Sequence, residues 1–284
     1  MKGKRPMRRL FLLLAALLLT LPPTWGQALF PSECFPVERL PAALRPKAEE
    51  ALLKLMDSEG LYTMVGGMKP MSSGFVSLYF SVDKPDTAKL DELRQVLSAL
   101  RCGESLRCDL LTFHTPRDGK RYAEGAVFYR PAVSQMACTY ADYFAPLGIT
   151  SHADPLGTAL IVEHLEGAPR NRGLGYLYGY PKSAVDFFVV GQEEYAITKK
   201  ITPRDFRQIP TFGRESGSFV YAVPKDAPET EEDRQLKAKA GRILTEYKKR
   251  REKFVGPGRP GIVALLRDWF TNAKGECAPE NAIF

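Results

Sequence analysis

The residues able to move a proton or hold a ligand are few. The chain carries three histidines, His114, His152 and His164. His152 stands two residues from Asp154, a spacing that lets a carboxylate orient an imidazole. His114 closes an apolar run that reads as a strand, where catalytic side chains often sit. Ser72-Ser73, in a glycine-flanked loop, supplies hydroxyls. These residues define one expectation, an exported hydrolase using His114 or His152 with Asp154 and the Ser72-Ser73 loop. Neither a His-Glu-x-x-His run nor a Gly-x-Ser-x-Gly elbow is present, and no spacing supports a metal site. The catalytic reading therefore stands second to a non-catalytic one.

The binding reading starts from Arg170–Val190. Tyr176, Tyr178 and Tyr180 alternate with Leu177 and Gly179, which predicts a strand over Leu174–Tyr180 with three tyrosines on one face. Pro181 suits the first position of a helix, and Ala184–Val190 has almost no polar face, as a helix buried on several sides would. With Arg170 and Arg172 just upstream, the tyrosine face could stack on a sugar or an aromatic ligand while the guanidiniums hold its polar groups. The competing expectation, a core face packed under the helix, is the stronger of the two.

The loop Leu61–Gly74 is too broken for regular structure and too apolar for an ordinary surface loop. Its Lys69 and Ser72-Ser73-Gly74 could present donors to an anion. Met64, Met68 and Met71 are soft ligands in type, but Gly66, Gly67 and Pro70 prevent a helix that would align them. The glycines of Gly173–Gly179 do not fit a dinucleotide fingerprint, whose third glycine falls on Tyr178. No cofactor is expected, and the partner is a small molecule or an envelope component of unknown identity.

The N-terminus sets the compartment. Lys2, Lys4, Arg5, Arg8 and Arg9 precede an apolar run over Leu10–Leu21, ended by Pro22-Pro23. Such a run is well short of the roughly 20 residues that span a bilayer. Residues 1–28 read as a signal peptide, with small residues for cleavage at Gly26 and Ala28. Arg8-Arg9 resembles the core of a twin-arginine signal, but the leucine-rich segment behind it favours the ordinary secretory route. The expectation is an exported protein, periplasmic or secreted, with no transmembrane segment once the leader is removed. Five of the seven net positive charges lie in that leader, leaving +2 on the mature chain, so nothing points to nucleic acid. Five cysteines, at 34, 102, 108, 138 and 277, follow the leader. Proximity predicts a Cys102–Cys108 disulfide, with Cys34 and Cys277 able to staple the ends and Cys138 buried and inert.

At 44% apolar and 26% charged over 284 residues, the chain can bury a full core. After an irregular segment over 29–45, periodicity predicts helices from Pro46 to Ser58, from Asp86 or Thr87 to Arg101, from Pro131 to about Phe144, and within Ala153–Glu166. Glu231–Phe254 and Ile262–Phe270 are further helices, the last within a C-terminal helix-and-tail segment, 256–284. Phe75–Val82, Cys108–His114 and Tyr122–Tyr129 read as strands, the latter two joined by an Asp118-Gly119 turn. Glu194–Ile201 and Ser218–Val223 read as two more. The order gives a single α+β domain over 29–284, with a mixed sheet of about five to six strands against several helices. Mass spectrometry of protein from a secreting host should find an N-terminus near Gln27 or Leu29. An intact Met1 on soluble protein would defeat the signal peptide.

Overall fold

The computed structural model describes residues 33–282, so the expected signal peptide and its cleavage points lie outside the described residues. The fold is α+β, with a four-stranded sheet ordered β1-β4-β3-β2 and a separate two-stranded sheet. The strands are β1 (Met71–Ser81), β2 (Arg101–Cys102), β3 (Leu106–Thr112), β4 (Lys120–Tyr129), β5 (Arg204–Gln208) and β6 (Val220–Pro224). Every pairing is antiparallel, so the expected single mixed sheet is replaced by two smaller antiparallel ones.

β4 is the centre. Its sequence from Ala123 to Tyr129 is apolar except for Glu124, and all seven residues are buried. Successive side chains of a strand point to opposite faces. Ala123, Val127 and Tyr129 accordingly join one core, and Ala126 and Phe128 another. The first core takes in α1 (Arg45–Asp57), α2 (Gly60–Met64), α3 (Thr87–Ser98), α9 (Glu231–Phe254), α10 (Ile262–Phe270) and the β5–β6 hairpin. The second is built from α4 (Arg130–Thr139), α5 (Ala141–Phe144), α6 (Pro155–Glu163), α7 (Gly167–Leu177) and α8 (Lys182–Thr198). Asp118 (φ 50°) and Gly119 (φ 68°) make the expected tight turn between β3 and β4.

Several sequence expectations are corrected. Leu174–Tyr180 is not a strand: α7 runs to Leu177, so Tyr176 lies on a helix and Tyr178 and Tyr180 in the turn after it. Gly173 and Gly175 let α7 pack closely on its neighbours, since a Cβ would lie 2.7 Å from Val162 and 2.7 Å from Val185. Pro181 caps α8 rather than opening it, and α8 runs on to Thr198, through most of the residues expected to form a strand at Glu194–Ile201. The missing strand is β5, inside the Pro- and Gly-punctuated 202–217. Gly60 does not stop the structure but begins α2, and Leu61–Gly74 is mostly buried.

The cysteines also differ from expectation. Cys102 lies at disulfide distance from Cys277, with Cα atoms 5.7 Å apart, and not from Cys108. Cys108 is buried in the first core, while Cys138 is exposed. Among the described residues no helix is long and apolar enough to cross a membrane.

α9 forms where expected because its ends are matched to its dipole: Glu231, Glu232 and Asp233 in the first turn, Arg251 and Lys253 in the last. Thr230 and Asp233 close a capping box, and the Asp233 carboxylate also accepts the Tyr221 hydroxyl from β6. Thr230→Ala should cost about 1 kcal/mol in denaturant unfolding. Asp233→Ala should cost more, roughly 2–3 kcal/mol, because it also leaves the buried Tyr221 hydroxyl unpaired.

Candidate functional site

Two stretches distant in sequence meet at the head of β1. The turn Tyr178-Gly179-Tyr180, between α7 and α8, lies directly on Met68-Lys69-Pro70. Gly179 (φ 70°) permits that approach, because a Cβ there would fall 2.8 Å from the Met68 carbonyl oxygen and 3.0 Å from the Lys69 Cα. The contact gathers Lys69, Ser72, Ser73, Tyr178 and Tyr180 into one region.

Lys69 is fully buried. Its ammonium pairs with the Glu59 carboxylate at the α1–α2 junction. It also lies 4.5 Å from the Phe219 ring centre and 5.5 Å from that of Tyr178. Burial drives its pKa below the ordinary lysine value, and the Glu59 carboxylate restores part of the loss. Ser72 shares a hydrogen bond with Thr63 (2.8 Å), and its hydroxyl donates to the Glu59 carbonyl at 3.3 Å. Ser73 bonds to the Tyr178 hydroxyl at 2.8 Å. Tyr180 packs among Tyr178, Phe219 and Tyr221, at ring separations of 5.9–6.2 Å.

Glu124, the one acid in the apolar run of β4, lies under this cluster. Burial raises its carboxyl above the ordinary range, against the pull of hydroxyl contacts from Ser73 and Tyr122. The pairing of β1 with β4 is interrupted by a bulge between Ser73 and Ser77, a stretch that includes Gly74 (φ 86°) beside the Glu124 carboxylate.

Two clefts lie beside the partners of Glu124, one lined by Ser73 and one by Tyr122. The one toward α1 encloses about 490 Å³ and is lined by Glu59, Ser73, Gly74, Thr211, Arg214 and Ser218. The other, about 580 Å³, lies between the β3–β4 hairpin and the α6–α7 junction. Its aromatic wall is a ladder of rings: Tyr79 sits 4.8 Å from Tyr122, and Tyr122 sits 5.2 Å from Phe113. Facing them are His114, Glu163 and Arg170. The buried Glu163 accepts a 2.6 Å hydrogen bond from Arg170, and the His114 ring lies tilted against that of His164, 4.6 Å between centres.

The hydrolase constellation is not brought together. His114 lines the larger cleft, but His152 is exposed, with its backbone N–H 3.4 Å from the Thr150 hydroxyl. Asp154 caps α6 through the Gly157 N–H (2.8 Å) and pairs with Arg107. Ser72 and Ser73 bond within the Lys69 cluster. The tyrosines divide as well: Tyr178 and Tyr180 pack together, Tyr176 stacks on Tyr140 at 3.8 Å, and Arg172 pairs with Asp186. Met64 and Met71 fall in different cores.

Glu59, Glu124, Glu163 and the Tyr79 ladder are the residues that sequence reasoning passes over. A lone acid in an apolar run, as at Glu124 and Glu163, is the signal that could have found two of them. Comparison with family models, with curated proteins and with solved structures gives no match.

Lys69→Met should destabilise the protein by roughly 3–5 kcal/mol, because it removes one partner of a buried pair. Lys69→Met combined with Glu59→Leu should recover most of that loss. A double variant as unstable as Lys69→Met alone, by chemical denaturation, would show that the ammonium holds more than Glu59.

Proposed function

We propose that this chain is an exported, non-catalytic binding protein, and that its ligand lies in the cleft beside His114. The observation that carries the reading is the ring ladder. Tyr79 is 68% exposed, yet it is held against Tyr122, which is backed by Phe113. An exposed ring fixed in place is a preorganised flat surface, and stacking on it costs little side-chain entropy. Arg117, Lys120, Arg170 and His114 line the same cleft, against Glu163 and Glu166. The Glu163 carboxylate is already matched by Arg170. The cleft therefore suits a small molecule with a ring face and a negatively charged group.

Arg170 is the one member of the expected tyrosine–arginine platform that lines this cleft. The aromatic residues come instead from β1, from Phe113 just after β3, and from β4. Hydrolysis is less well supported, because Ser72, Ser73 and Asp154 are engaged elsewhere, His152 does not line the cleft, and among the described residues no hydroxyl is bonded to the cleft's histidine. Export rests on the basic leader and its short apolar run. A Cys102–Cys277 bond suits an oxidising compartment.

The test is calorimetric titration with aromatic carboxylates such as 4-hydroxybenzoate and salicylate, alongside aliphatic carboxylates of similar size. The aromatic acids should bind, and Tyr79→Ala should weaken them about tenfold, as the loss of one stacking contact does. Its denaturant midpoint should be unchanged, since the ring is mostly solvated. Binding that is equal for aliphatic acids, or that survives Tyr79→Ala, would remove the ladder from the site.

A further inference from the structure

We propose that Cys34, Cys102 and Cys277 form a thiol–disulfide exchange site, in which one disulfide moves between the Cys102–Cys277 and Cys34–Cys102 pairings. The three sulfur atoms all lie within 4.8 Å of one another, and Cys34 Sγ is 3.6 Å from Cys102 Sγ. Cys102 is the shared member because it faces both partners.

The backbone accommodates either bond. Cys34 and Cys102 are bridge partners in an antiparallel pairing. The flanking hydrogen bonds run from Phe35 N–H to the Arg101 carbonyl (2.7 Å) and from Gly103 N–H to the Glu33 carbonyl (2.9 Å). Cys34 and Cys102 thus occupy a non-hydrogen-bonded pair, whose Cα atoms sit about 4.5 Å apart with side chains close. That is inside the roughly 4.4–6.8 Å range that disulfides span, as is the 5.7 Å of Cys102 and Cys277. Cys277 is held in turn by its bridge to Thr271, just beyond the end of α10.

The step balances without an oxidant or a reductant. Cys34 loses its thiol proton to water in the adjoining cleft, which is lined by Glu33, Cys34, Glu38 and Arg267. The thiolate attacks Cys102 Sγ, a Cys34–Cys102 bond forms, and the Cys102–Cys277 bond breaks. Its electron pair leaves on Cys277 Sγ, which takes up a proton. Burial pushes the Cys34 thiol up to about 12, and the Arg267 guanidinium pulls the other way. The exchange is consequently slow in the resting protein. Its product frees Cys277, and with it the segment that closes on Phe270 through the Ala278 N–H (2.7 Å).

Non-reducing peptide mapping of the full chain, equilibrated in a glutathione redox buffer and quenched with acid, tests this. Wild type should yield both the Cys34–Cys102 and the Cys102–Cys277 peptides. Cys277→Ser should yield only the first of them and Cys34→Ser only the second. A single pairing in wild type would overturn the proposal. So would a Cys277→Ser protein in which Cys34 and Cys102 both remain alkylatable while Cys34→Ser still forms its bond. Three alkylatable thiols with one equivalent of bound zinc would make the cluster a metal site instead and would equally overturn it. The wild-type measurement decides the matter even if a variant fails to fold.

Discussion

An ammonium group with no access to water has to be matched by the protein around it, and Lys69 imposes that demand here. Glu59 neutralises it, which fixes the junction of α1 and α2. Phe219 and Tyr178 offer ring faces to it, which draws in the β5–β6 sheet from one side and the turn after α7 from the other. Gly179 is the residue that allows that turn to come close enough. A buried ion pair is weak evidence for stability, since apolar side chains of similar volume often do as well. Its value is geometric: it admits one arrangement of three chain segments and leaves the alternatives with an uncompensated charge.

The same logic continues through β4. Its alternation sends Ala123, Val127 and Tyr129 to one core and Ala126 and Phe128 to the other, so a single strand separates two apolar interiors. Glu124 interrupts that scheme. The bulge in β1 and hydroxyls from Ser73 and Tyr122 accommodate it, and those two residues each line a cleft, Ser73 one and Tyr122 the other. The contacts of a single buried acid thus reach the walls of both clefts.

Much of the fold is legible in the sequence where local signals agree. α9 has a capping pair, dipole-matched charges and one apolar stripe, and it forms over the expected residues. The β3–β4 hairpin has a turn dipeptide between apolar runs. Failure comes where tertiary contact outweighs local pattern. The alternating tyrosines of 176–180 imitate a strand, but Gly173 and Gly175 are there so that helices can cross closely, a reason invisible without the partners. The Cys102–Cys108 expectation fails because six residues of separation say nothing of direction, and Cys108 points into the first core. The site was half legible: Lys69, Ser73, Tyr178 and Tyr180 stand out by type, but their meeting depends on how the chain folds across the 105-residue separation of Ser73 and Tyr178.

The two cores also differ in when they can be completed. The second draws its buried residues from Met71 to Val189, all of which precede the last third of the chain. The first needs Phe35 and Phe270, whose rings meet edge to face at 5.7 Å. A chain delivered from its N-terminus, by a ribosome or through a membrane pore, can thus close one interior while the other still awaits its final helix. Through that interval the face of α1 that α10 packs against has no lid, and the apolar surface of α10 is what ends its exposure to other chains. The latest-arriving helix sets how long the nascent protein stays vulnerable to aggregation.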